Sequence, residues 1–334
     1  MQNWMLLAAI VAGAGLIACL GTRGLIPLLR RRAVLDRPNE RSLHAMPIPR
    51  GGGIAVIAAI LLPWLGLSEL VLSPAISRQI LLGAVLLAAV SWLDDLRGLP
   101  AAVRLAAQLV AIGLAAWAGM PPGLVFQSWL PGWLDGMATV LLWVWFINLF
   151  NFMDGIDGLA GSEAAAIGLG LMLFAGVGIG RDPELLLLGA TVAAAAIGFL
   201  VWNWAPARIF LGDVGSVPLG YLLGFLLLEQ AARGHWKIAL ILPLYFLADA
   251  TITLLRRLLR GERVWQAHRE HFYQRAVQRG LGHAAVVQRV IAADIVLIAC
   301  GWAAENGWPI LGLAVAGVTV AVLLAWLAGA RTPA

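Results

Sequence analysis

The chain has 334 residues, of which 61% are hydrophobic and only 12% charged, with a mean hydropathy of +0.87. Soluble domains are nearer half apolar and a quarter charged, so the composition excludes a soluble fold and indicates a polytopic membrane protein. Continuous apolar runs exclude a β-barrel, whose strands alternate, and the net charge of +5 is assigned to membrane orientation, with no nucleic-acid partner.

A membrane span needs roughly 20 apolar residues. On that criterion spans are predicted at 4–22, 53–72, 78–93, 101–119, 137–150, 160–179, 185–202, 217–231, 237–255, 286–305 and 309–329. The fold class is an all-α, polytopic integral-membrane bundle of about 11 transmembrane helices, read as one domain over 1–334. With the N-terminus periplasmic and the C-terminus cytoplasmic, inside segments hold nineteen of the 23 Lys and Arg residues. That asymmetry satisfies the positive-inside rule. Cys19 and Cys300 both fall in apolar runs, so no disulfide is expected. Leu16–Cys19 resembles a lipoprotein cleavage box but lacks the preceding basic region of a signal peptide, so no processing is expected there.

The first inside loop carries Asp36, Arg37, Glu40, Arg41 and His44, then Arg50 and the glycine run Gly51-Gly52-Gly53. Arg41 and His44 are candidate phosphate contacts, and the glycines allow close backbone approach to a ligand or a neighbouring helix. Asp94 and Asp95 end the third span on the same face. Adjacent helical residues point about 100° apart, so one carboxylate can meet a metal while the other meets a different group. Asn151, Asp154 and Asp157 follow the fifth span at a spacing of three, which a helical turn would place on one side. Such oxygen donors suit Mg²⁺, which binds one or two carboxylates together with substrate phosphates. Asp213 lies between Gly212 and Val214-Gly215 just before the eighth span, where Ser216 can begin a helix N-terminus.

The longest inside loop, Arg256 to Arg289, places His268, His271 and Arg275 at spacings of three and four, one face of a helix. Trp265, Phe272 and Tyr273 make that stretch amphipathic, as for a helix lying on the membrane surface. A zinc site is not expected, because no third ligand accompanies the histidine pair, and His283 is given no role. Asp135, Asp182, Glu184 and Glu305 read as solvated connections on the outer face. Asp249 and Asp294, inside spans, read as interhelical partners. The many Trp residues near span ends, Trp64 among them, fit interfacial belts.

Asp94-Asp95, the run N-F-M-D-G-I-D-G-L-A from Asn151, and F-L-G-D-V-G-S from Phe210 occur in order on one membrane face. Together they resemble the polyprenyl-phosphate N-acetylhexosamine-1-phosphate transferases (glycosyltransferase family 4), over nearly the whole chain. The resemblance implies transfer of a sugar 1-phosphate from UDP-N-acetylhexosamine to undecaprenyl phosphate, with release of UMP, at the cytoplasmic face of the bacterial inner membrane. It implies a Mg²⁺ cofactor, with Mn²⁺ as substitute, held by Asp213, Asn151 and Asp94. Asp94 and Asp95 would engage the lipid phosphate and metal, and Asp154 would join the catalytic cluster. Asn151, Asp157 and Phe210 fall on the nucleoside side, with Phe210 placed to stack on uracil. His268, His271 and Arg275 are the pyrophosphate candidates. The last-loop run His268-Arg269-Glu270-His271 departs from the consecutive histidines of the peptidoglycan enzyme and resembles the O-antigen initiating branch. The expected partners are the two substrates, the bilayer and a second copy in a homodimer. The alternatives are a UDP-GlcNAc-specific initiator of another envelope polymer and, from a different class, a transporter, which would hold its acids near the membrane midplane.

Overall fold

A computed structural model of the chain describes residues 2–36, 46–67, 74–119, 123–177, 182–263 and 268–329. In chain order the helices are α1 (Gln2–Arg31), α2 (Gly53–Leu67), α3 (Pro74–Arg97), α4 (Ala101–Gly119), α5 (Gly132–Phe152), α6 (Leu159–Val177), α7 (Pro183–Asn203), α8 (Asp213–Ala232), α9 (Trp236–Ile241), α10 (Leu244–Leu259), α11 (Phe272–Gln278), α12 (His283–Glu305) and α13 (Pro309–Gly329). Two short strands, β1 (Leu35–Asp36) and β2 (Ile48–Pro49), pair antiparallel with Leu35 opposite Pro49.

Eight of these helices, α1, α3, α5 to α8, α12 and α13, are long and apolar enough to cross a membrane, and α2 and α4 are shorter apolar helices. The predicted span 237–255 is broken into α9 and α10 at Leu242-Pro243. A proline cannot supply the next helical N–H bond and crowds the preceding turn. The first helix continues past the predicted residue 22 to Arg31, because Arg23, Arg30 and Arg31 can extend a helix as readily as they end a span.

α8 is the axis of the bundle, with every residue from Val214 to Ala232 buried. Small residues let its neighbours approach, as packing between membrane helices requires. A Cβ on Gly220 would lie 3.0 Å from Ile147 Cα, and one on Gly224 would lie 2.8 Å from the Trp143 indole. Trp143 donates its indole N–H to the Tyr221 carbonyl at 2.9 Å and stacks on the Tyr221 ring, with centroids 5.0 Å apart. Gly168 and Gly189 bring α6 and α7 together in the same way.

The loop before α2 is zipped by its backbone to the loop before α8. Phe210 N–H donates to the Pro49 carbonyl (2.8 Å), Gly52 N–H to Phe210 (2.9 Å) and Gly53 N–H to Leu211 (2.9 Å). The glycine run therefore serves helix approach: a Cβ on Gly53 would fall 2.2 Å from Gly215 Cα of α8.

Several outer-face acids differ from the solvated connections expected of them. Asp135 is buried and accepts the Val125 and Phe126 amides at 3.2 and 2.8 Å. Glu305 holds His235 and Lys237 at 3.1 and 3.3 Å. Asp182 caps α7 and pairs with Arg233 at 2.7 Å. Each sits beside backbone amides or cations that compensate its burial. Trp64 is likewise core rather than interface, bonding Thr191 at 2.7 Å.

The α2–α8 contact gives a direct test. Gly53→Ala forces two backbones apart and should cost about 1–3 kcal/mol, seen as a lower melting temperature in detergent. Gly24→Ala, where no atom of the described residues lies within 4 Å of the added Cβ, should leave the melting temperature unchanged or higher. Equal behaviour of the two variants would contradict the packing.

Candidate active site

The site is built on the last turn of α3. Asp95 turns toward α8, where its carboxylate accepts the Asp213 N–H (3.2 Å) and the Val214 N–H (3.0 Å). The first amides of a helix have no partner within it, and a carboxylate there is favoured by the helix dipole. Arg50, from the loop before α2, pairs with the same carboxylate at 3.2 Å and donates to the Asp95 carbonyl at 2.6 Å. Asp213 itself is the first residue of α8, so the side chain that satisfies the first amides of this helix comes from another helix. Asp94, one residue earlier, points elsewhere, as the helical angle requires: it accepts the Leu99 N–H and pairs with Arg104 of α4 at 3.3 Å.

Asn151 on the last turn of α5 donates to Asp213 Oδ1 (3.0 Å) and to Ser216 Oγ (2.8 Å). Its side-chain nitrogen is thereby committed, and its carbonyl oxygen is the atom available to a cation. α5 ends at Phe152, so Asp154 and Asp157 lie on the loop that follows and not on one helical side with Asn151. Asp154 is nevertheless in the cluster. Burial, with Asp213 and Asp95 beside it, holds its carboxyl well above the usual carboxylate range. Asp94, in turn, is near enough to act on Asp213.

Asp94, Asp95, Asp154 and Asp213 are thus brought together, with the Asn151 amide among them. Among the described residues no group of three or more His, Cys, Asp or Glu encloses a metal by itself. The donor set still fits Mg²⁺, which keeps several waters and takes one or two carboxylates plus substrate phosphates. All are hard oxygen donors, and mutual repulsion among carboxylates is what a cation relieves.

The structure places other expected residues differently. Asp157 is a clasp: Oδ2 accepts the Ala207 N–H at 3.0 Å and lies 3.3 Å from His283 Nδ1 at the start of α12, while Oδ1 is buried without a hydrogen-bond partner among the described residues. His283, given no role from sequence, therefore ties α12 to this loop. Asn203 joins the same region, accepting the Gly158 N–H at 3.0 Å and donating to the Ile209 carbonyl at 2.9 Å. Phe210 is half-buried where its loop meets the glycine run, in a parallel bridge with Arg50. Arg41 and His44 lie outside the described residues.

The last loop does not form the expected surface helix. α11 begins only at Phe272, so His268 and His271 precede it, and Phe272 and Tyr273 are buried. The spacing of His268, His271 and Arg275 predicts a helix over that stretch, but His271 instead caps α11. His271 is itself buried, with Nδ1 3.1 Å from Asp249 of α10. His268 is half-buried, its ring 4.8 Å from that of His271. Burial, then His271 and Arg257 beside it, lowers its pKa to about 4, so it is neutral near pH 7 and offers a hydrogen bond rather than a positive charge. Arg275 is exposed on α11. Asp249 bears out the reading of an interhelical partner. Asp294 of α12 makes no hydrogen bond among the described residues, and neither does Glu163 of α6, but the two carboxyls lie near enough across these helices to act on one another.

Beside the acids, a cavity of about 100 Å³ opens between α3, α4, α5 and α8, lined by Leu87, Leu105, Gln108 and Asn148 together with Asn151 and Asp213. Gln108 and Asn148 exchange amide hydrogen bonds of 3.3 and 2.8 Å, leaving the rest of the wall mostly apolar.

A family described as Glycosyl transferase family 4 matches residues 77–231, the stretch holding all four clustered acids. The chain is 30% identical over 277 residues to a probable undecaprenyl-phosphate N-acetylglucosaminyl 1-phosphate transferase of Bacillus subtilis, covering 77% of this chain and 74% of that protein. It is 27% identical to the decaprenyl-phosphate N-acetylglucosaminephosphotransferase of Mycobacterium leprae, covering 84% and 79%. It is 29% identical to a phospho-N-acetylmuramoyl-pentapeptide-transferase of Thermosynechococcus vestitus, covering 75% and 68%.

Crowded carboxylates weaken the metal-free fold. Asp154→Asn should therefore raise the melting temperature of EDTA-treated protein by about 2–4 °C, the scale of 1 kcal/mol in a chain of this order of size, while removing catalytic turnover. A lower melting temperature would show that favourable contacts hold Asp154 instead.

Proposed function

Because this chain belongs to the glycosyl transferase family 4 of polyprenyl-phosphate hexosamine-1-phosphate transferases, we propose that it moves an N-acetylhexosamine 1-phosphate from a UDP-sugar to undecaprenyl phosphate. The products are the lipid-diphosphate sugar and UMP. The observation that carries this reading is the meeting of Asp94, Asp95, Asp154 and Asp213 beside a mostly apolar cavity between α3, α4, α5 and α8 that Asp213 itself lines. A prenyl chain can lie along apolar helices while its phosphate reaches the acids.

Mg²⁺, with Mn²⁺ as its substitute, would be held by Asp213, Asp154 and Asp94 with the Asn151 carbonyl oxygen, and would neutralise charge on the pyrophosphate and the departing UMP. The chain's own groups position and shield. Asp95 is committed to α8 and Arg50, so its role is to set the Asp213 carboxylate. Arg104, paired with Asp94 and lining the cavity, is placed for the acceptor phosphate. A phosphate oxygen of the lipid attacks the β-phosphorus directly, and the bond from that phosphorus to UMP breaks. Phe210 and Asp157 are assigned to the nucleoside side, with His268 as a neutral hydrogen-bonding group at the pyrophosphate.

The acid end of the bundle is rich in arginine, with Arg30, Arg31, Arg50, Arg97, Arg104 and Arg208 near it. By the positive-inside rule that end faces the cytoplasm of a bacterial inner membrane. The last-loop pattern favours an initiating enzyme of O-antigen or a related envelope glycan. N-acetylglucosamine is the sugar named for two of the relatives and is the first donor to try. A transporter reading loses support, because the clustered acids sit at helix ends and in a loop.

Purified protein should release UMP from a UDP-N-acetylsugar only with undecaprenyl phosphate present, and EDTA should abolish the release. Asp213→Ala should lower the rate by about 10²–10³-fold, the scale of losing one preorganised electrostatic stabiliser. Near-normal turnover of that variant with Mg²⁺ would overturn the assignment.

A further inference from the structure

Asp249 of α10 has no exposed surface, yet it is one of the most fully engaged side chains in the molecule. Its Oδ1 accepts the Phe272 N–H (3.0 Å) and the Thr253 hydroxyl (3.3 Å) and lies 3.1 Å from His271 Nδ1. Its Oδ2 accepts the Tyr245 hydroxyl (3.3 Å) and the Tyr273 N–H (3.4 Å). The start of α11 is therefore pinned to α10.

From that fixed point Tyr273 reaches across to the acid cluster. Its hydroxyl donates to the Phe152 carbonyl at 2.9 Å. On the other side of Asp154, a Cβ added to Gly155 would fall 2.2 Å from the same hydroxyl oxygen. Burial, with Asp249 and Asp154 nearby, holds the phenol well above its usual range, so it remains a donor. The residues before and after Met153-Asp154 both rest on Tyr273.

Asp154 needs such a hold. It lies on a non-helical stretch directly before Gly155, and the carboxylates of Asp213 and Asp95 push against it. We propose that Asp249 and Tyr273 are positioning residues, which fix Asp154 within the acid cluster by bracing its loop from α10 through α11 without touching substrate. His271 belongs to this brace and not to the pyrophosphate contacts expected of it. The kinetic part of this inference rests on the proposed transfer reaction.

The test uses full-length protein in detergent, as wild type, Tyr273→Phe, Asp249→Asn and the double variant. Hydrogen exchange is followed in the peptide covering 151–158, alongside the kinetics of UMP release. Tyr273→Phe keeps the ring and its packing and removes only the hydroxyl, so it remains informative if Asp249→Asn folds poorly. It should speed exchange in 151–158 without changing exchange in α7, and lower kcat about tenfold, the scale of one buried hydrogen bond, with the donor KM within about twofold. The double variant should be no worse than the poorer single one, since residues of one device are not additive. Unchanged exchange in 151–158 overturns the brace. Faster exchange with the kinetic loss confined to KM overturns the positioning role for Asp154. A wild type that releases no UMP counts against the transfer reaction alone, because exchange reads the brace independently.

Discussion

Asp95 places its carboxylate on the first two amides of α8 while holding Arg50, and this contact registers three separate parts of the chain. α3 supplies the carboxylate, the loop before α2 supplies the arginine, and α8 supplies the amides. The fit leaves no room for alternatives: Gly212, at φ +76°, would carry a Cβ 2.9 Å from Asp95 Oδ2 and 3.0 Å from Arg50 Cγ. The Asp95 side chain is fully buried while Arg50 keeps part of its surface in the open, so removing the arginine costs about 1–3 kcal/mol, the scale of leaving a buried acceptor short of a partner. The reward is that Asp213 leaves the helix start in a fixed direction, toward Asn151 and Asp154.

The same geometry concentrates like charge. Four carboxylates gather where the dipole of α8 presents its positive end, and Arg50 and Arg104 supply fixed cations at the edge. A helix end contributes about 0.3–1 kcal/mol to a nearby anion, which does not offset several neighbouring carboxylates in a partly dry site. A cation with its phosphate-bearing substrate would complete the balance. The site is arranged for charge that arrives with the reactants, in keeping with phosphoryl transfer, where catalysis is mainly positioning and electrostatics.

The helical bundle and the converging acids were legible in the sequence because both leave local signals. Long apolar runs mark spans, and carboxylates beside them are too costly to be incidental. What spacing could not provide was direction. Asn151, Asp154 and Asp157 recur every three residues, but α5 stops at Phe152, so the period has no helix to act on and Asp157 turns to Ala207 and His283. His268, His271 and Arg275 likewise look like one helical face until Asp249 draws the amides of Phe272 and Tyr273 to itself and starts α11 there. In both places a partner distant in sequence decided the local conformation. The signal for His283 was absent from its neighbourhood altogether, since its partner lies 126 residues earlier.

The central claim is that the acids of α3, the α5–α6 loop and α8 form one cation site. Mn²⁺ binding to the purified protein, followed by electron paramagnetic resonance in the presence of a UDP-sugar, tests it most directly. One Mn²⁺ should bind per chain, weakened strongly by Asp213→Asn and by Asp154→Asn, and little affected by Asp249→Asn at saturating Mn²⁺. Binding that ignores both Asp213 and Asp154 would contradict it.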